Sequence, residues 1–155
     1  MTRPIRSILV ATLLAVGVSQ TAIPVSQAAP ARASEVHYVN QLHAMVPLMS
    51  KASSVMGQIM DHAGHANFTA LTADATRLRS ISQTALDRFQ QMEPPTPRFR
   101  IFQPQAVASF RAFRQCAMHL QVGATQRNAA EMRQALRYMN QGRTTMNRAI
   151  ALLNG

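Results

Sequence analysis

The chain has 155 residues, with sixteen Lys or Arg against six Asp or Glu and a single cysteine, Cys116. One cysteine excludes an internal disulfide, and a formal charge of +10 asks for an anionic counterpart. Nucleic acid is the usual partner of so basic a small protein, but the N-terminus argues against it.

That N-terminus reads as an export signal. Arg3 and Arg6 make a short basic region, Ser7 to Val18 is almost unbroken apolar sequence, and small residues lead to the A-x-A site Ala31-Arg32-Ala33. A signal peptide over residues 1–33 is therefore expected, with cleavage after Ala29 as the competing choice. The apolar run has about half the ~20 residues a membrane span needs, and no transmembrane segment is expected elsewhere. Cys116 lies far from the signal, so no lipobox anchor is expected. Fifteen arginines to one lysine suggest a GC-rich genome and, with the signal, a soluble product of the bacterial periplasm. Removal of residues 1–33 leaves 122 residues with thirteen basic groups against six acidic, about +7. Export turns the expected counterpart from nucleic acid to anionic envelope components or an acidic protein.

From Tyr38 the apolar positions fall at Leu42, Met45, Met49, Ala52, Met56 and Ile59, alternating steps of four and three. This seam marks a helix packed against other helices. Ser34 is the expected N-cap, Pro47 falls opposite the seam, and Gly64 is the expected stop, with a loop from His62 to Phe68. The second helix repeats the rule through Leu71, Ala75, Leu78, Ser82, Ala85, Phe89 and Met92. It ends before Pro94, because a residue preceding proline is pushed out of the helical region.

The stretch Glu93-Pro94-Pro95-Thr96-Pro97 is the pivot of the chain, since three prolines in four residues cannot sit inside a helix. Beyond it, Arg98-Phe99-Arg100-Ile101-Phe102 alternates charge with apolar bulk and is expected to run extended, with Phe99 and Ile101 on one side. Pro104 then suits the first turn of a third helix with Gln103 as cap and a Phe102 to Val107 staple. That helix carries Ala106, Ser109, Phe113, Cys116, Leu120 and Gly123 on its seam, widened by Phe110 and Ala117. Asn128 with Glu131 resembles a capping box opening a fourth helix, whose seam is Met132, Ala135, Met139, Gly142, Met146, Ala149 and Leu153. The expected fold is all-α: an antiparallel up-down-up-down four-helix bundle built of a hairpin over 35–92, the Pro-rich turn 93–97 and a hairpin over 98–154. Small seam residues such as Ala75 and Gly142 allow close approach within one chain and equally between chains, leaving monomer and dimer open.

Seven methionines, Met45, Met49, Met56, Met92, Met132, Met139 and Met146, fall on seams and are expected to pack the core. Met60 and Met118 fall off them. Met60 opens Met60-Asp61-His62-Ala63-Gly64-His65, which resembles the Met-Asp-His repeats of periplasmic copper-resistance proteins, with His65 where those repeats carry another methionine. Two imidazoles three apart on a last helical turn can face one ion beside a thioether, so His62, His65 and Met60 form a candidate copper site. Histidine at a helix end also simply complements the dipole. Met118-His119 could join the site if the loop of the second hairpin lies at the same end.

No histidine falls on a seam to ligate a b-type haem, and no C-x-x-C-H is present for covalent haem. All six acids map to solvent, flanks or helix ends, with Asp74 and Glu131 on flanks, so no catalytic constellation is expected and the chain reads as non-enzymatic. Charge divides at the pivot. Residues 34–97 hold four basic groups against five acids, whereas 98–155 hold nine arginines against Glu131. Arg111, Arg114, Arg133, Arg137 and Arg148 map to the outer faces of the last two helices, either as a solvated surface or as a docking face for an anionic partner.

Overall fold

Where the sequence places steps of three and four, the chain is helical almost throughout. The computed structural model describes residues 28–154, with side chains from 34 to 153. Four helices cover them: α1 (Ala28–Gly64), α2 (Phe68–Gln90), α3 (Pro97–Gln126) and α4 (Ala129–Asn154), with no strand among the described residues. None of these helices is long and apolar enough to cross a membrane. The expected signal peptide lies outside the described residues except for positions 28–33, which belong to α1. Ser34 is thus inside a helix, six residues past its start.

The seams form the core. Every seam residue of α2 and α3 is buried, as are Ala135, Met139, Met146, Ala149 and Leu153 of α4. Tyr38, Leu42, Met45, Ala52 and Ile59 supply the share of α1. Met49, Met56 and Met132 are only half-buried, packed on the rim of the core instead of inside it.

The pivot acts as expected on α2 and differently on α3. Residues 92–95 are non-helical, but α3 begins at Pro97, whose missing N–H is one the first turn would leave unpaired anyway. Arg98–Phe102 is therefore helical, not extended. The same five residues that alternate along a strand put Phe99 and Phe102 three apart on a helix, both buried, while Ile101 is 58% exposed. Pro104 lies inside α3 on its exposed side, where it removes one N–H donor from the helix without touching the core.

Gln103 is no cap. Its Nε2 donates to the carbonyls of Phe89 at 2.8 Å and Met92 at 3.0 Å, closing the end of α2. Its Oε1 accepts from the Tyr38 hydroxyl at 2.9 Å, and the Tyr38 ring packs 4.6 Å from Phe99. One side chain thus joins α1, α2 and α3 at the pivot end, and burial raises the pKa of the Tyr38 phenol above its ordinary value.

Each helix packs along the next in sequence. His62 at the end of α1 meets Asp74 near the start of α2, while Arg88 late in α2 donates to Ala44 O in the middle of α1. Arg114 of α3 donates to Gln83 of α2, and Arg98 at the start of α3 donates to Leu152 O at the end of α4. The approach of α3 to α4 depends on glycine. A Cβ at Gly142 would lie 2.5 Å from the Phe113 ring, and one at Gly123 would lie 2.9 Å from Met132. Ser109 seals that contact by donating to Gly142 O at 2.7 Å. Among the described residues, by contrast, no Cα of α1 comes within 8 Å of one in α4.

Candidate functional site

Both hairpins turn in the same way. Ala66 and Arg127 adopt positive φ of 51° and 50°, and the following asparagine donates its N–H back to His62 O or Gly123 O, each at 2.9 Å. That closure ends the first helix. The side chains of Asn67 and Asn128 then accept from the N–H groups of Ala70 and Ala130 and so start the next. The helix stop is therefore Ala66, with Gly64 still inside α1. Arg127 lies 5.5 Å over the Phe68 ring, which brings the two turns together at one end of the molecule.

At this end each hairpin carries one histidine held by a carboxylate. His62 Nδ1 donates to Asp74 Oδ2 at 2.6 Å, and His119 Nδ1 donates to Glu131 Oε2 at 2.6 Å. Spacing puts Asp74 on a flank near the start of its helix; in the structure its side chain is 2% exposed, with Arg77 3.6 Å away on its other oxygen. The reason is position. Asp74 precedes the seam residue Ala75 at the turn of α2 that faces the last turn of α1, and His62 closes over it. Glu131 does not complete a capping box with its side chain, because that side chain is given to His119, whose ring stacks on Tyr138 at 5.3 Å.

The candidate copper residues sit on one helix end but turn apart. His62 faces α2, while His65 Nδ1 donates to its own turn at Asp61 O, 2.9 Å away, and Met60 is 55% exposed. His119 is held against α4 and Met118 is exposed. Among the described residues, no three His, Cys, Asp or Glu side chains are grouped to hold a metal ion. Cys116 is fully buried, and burial pushes its thiol from 9.0 up to about 12, which keeps it protonated and unreactive at neutral pH.

Of the candidate anion-binding arginines, Arg111, Arg133, Arg137 and Arg148 are exposed as expected. Arg114 is not on the outer face. It is half-buried and bonds Gln83 at 2.8 Å, so it serves the contact between α2 and α3. Arg133, Arg137 and Arg148 lie along the solvent face of α4, at helical spacing opposite its seam. Arg137 is held by Gln134, and among the described residues no carboxylate lies within ion-pair distance of these three.

Sequence reasoning missed a cleft. Where α1 and α4 stay apart, Met49, Ala52 and Met56 form one wall and Met146 and Ile150 the other. Phe110 and Phe113 form the floor, Ser53, Arg143 and Asn147 edge the mouth, and the volume is about 80 Å³. The only hint in the sequence is that two of the wall methionines fall on the seam of α1, where methionine serves irregular surfaces well.

No protein-family model matches the chain, and no curated protein or solved structure matches it.

Proposed function

We propose that the chain is a secreted, periplasmic, non-enzymatic binding protein, an antiparallel up-down-up-down four-helix bundle that docks an anionic partner through α4. The observation that carries this reading is the row Arg133, Arg137 and Arg148, exposed along one helix with no carboxylate in ion-pair distance among the described residues. A guanidinium fork suits phosphate or carboxylate, and uncompensated cations on a rigid helix need little reorganisation to meet them. The envelope counterpart is an anionic lipid surface, a cell-wall polymer or an acidic protein. The protein should bind vesicles containing phosphatidylglycerol, or cell-wall fragments, at low ionic strength. Binding should weaken steeply toward 0.5 M salt and fall at least tenfold in the triple variant Arg133→Gln, Arg137→Gln, Arg148→Gln. Absence of binding at low salt to these and to any acidic envelope protein removes the reading.

A second reading is a periplasmic copper-binding protein using His62 and His65 with Met60. One observation favours it: His62 gives Nδ1 to a buried carboxylate, the arrangement that orients an imidazole to present Nε2 to a metal. Stoichiometric Cu(I) or Cu(II) binding that disappears in His65→Ala supports it, and unchanged binding in that variant sinks it. His65 is the better target because it is exposed and contributes nothing to the core.

A further inference from the structure

The cleft between α1 and α4 differs from the basic face in chemistry as well as in place. Its walls and floor are apolar, yet a single cation stands at its mouth. Among the described residues the one contact of Arg143 is a long 3.5 Å approach to Asn140 Oδ1, and none of the six acids lines the cleft. Its charge is therefore uncompensated on the protein. The lining runs from Met49 to Met56 on α1 and from Arg143 to Ile150 on α4, seven steps along each helix, or about 10 Å at the α-helical rise. Such a trough suits a slender chain better than a bulky ring system. Met49, Met56 and Met146 are unbranched and adaptable, so they can widen the space without disturbing the backbone. Phe110 and Phe113 hold the floor rigid, the latter fixed by its contact with Gly142.

We propose that this cleft binds a medium-chain fatty acid, with the alkyl chain between Met49, Met56 and Met146 and the carboxylate paired with Arg143. Apolar walls with one placed polar group are the usual composition of a small-ligand site, and the guanidinium fork matches a carboxylate. This site is separate from the arginine row of α4, and the two stand or fall independently.

The test uses decanoate and, as its uncharged counterpart, decanol, titrated into the purified protein by calorimetry below their aggregation concentrations. Decanoate should bind one-to-one. Arg143→Gln should weaken decanoate about tenfold and leave decanol unchanged, while Ser53→Phe at the half-buried mouth should abolish both. The triple variant Arg133→Gln, Arg137→Gln, Arg148→Gln should bind decanoate like the parent protein. The proposal is overturned by no saturable decanoate binding, or by equal effects of Arg143→Gln on acid and alcohol. A dimer in sedimentation equilibrium that Ser53→Phe converts to monomer also overturns it, because a second copy would then cover the cleft.

Discussion

The two hairpins share a turn and differ in how their helices meet. Each has a positive-φ residue followed by a capping asparagine, and each has a histidine bonded to a carboxylate at 2.6 Å. In α3–α4 the helices close on glycine, with Gly142 against Phe113 and Gly123 against Met132. In α1–α2 the glycines do nothing of the kind, since a Cβ at Gly57 or Gly64 would meet nothing within 4 Å. There a buried carboxylate closes the end of the hairpin instead. The lesson is that matching turns do not impose matching interfaces. α4 is drawn onto α3, away from α1, and the space left over becomes the cleft.

The largest effect should come from the carboxylate. Asp74 is 2% exposed beneath His62, and in His62→Ala its side chain keeps only Arg77, at 3.6 Å. Removing one partner of a buried pair leaves a charge without adequate compensation, and the expected loss is about 3 kcal/mol in urea unfolding. His119→Ala is the matched change in the other hairpin, but His119 and Glu131 are 30% and 32% exposed and water replaces the lost bond. Its loss should be about 1 kcal/mol or less. Equal losses would mean that the two clamps are equivalent and that burial of Asp74 carries no cost.

How far these differences could be read in the sequence follows from what apolar spacing reports. Spacing tells which stripe of a helix is buried, and every seam residue from Leu71 to Met92 and from Ala106 to Gly123 is buried, although Asp74, Leu86 and Ala112 beside the seams are buried too. It does not tell how far apart two stripes lie, so the cleft between α1 and α4 was not legible, and half-buried Met49 and Met56 read as ordinary core. Five residues are too few to separate a period of two from one of three and four, so Arg98–Phe102 alternates as a strand would and yet is helical. Asp74 failed for another reason. A carboxylate beside the seam looks solvated unless the group that closes over it is known, and His62 comes from another helix. Gln103 shows the same limit, because its three partners lie on α1, on α2 and in the turn after α2, and no local pattern announces them. The site residues were legible as types more than as places. His62, His65 and Met60 share a helix end as read, yet their side chains diverge, and four of the five arginines are exposed while Arg114 turns into an interface.

The glycines give the finest test of the comparison, because one substitution should have opposite signs in the two hairpins. Alanine in a helix gains about 1 kcal/mol over glycine through the smaller conformational freedom of the unfolded chain. At Gly57 nothing opposes that gain, so Gly57→Ala should stabilise the protein by about 0.5–1 kcal/mol. At Gly142 the added methyl lies 2.5 Å from Phe113, a ring that is itself locked between Phe110 and α4, so it cannot move aside as a flexible chain would. Overpacking of this kind costs about 1–3 kcal/mol, which outweighs the gain, and Gly142→Ala should be destabilising by urea titration. Stabilisation by both variants would show that α4 can slide off α3, toward α1, and that the close approach of the second hairpin is not what holds the cleft open.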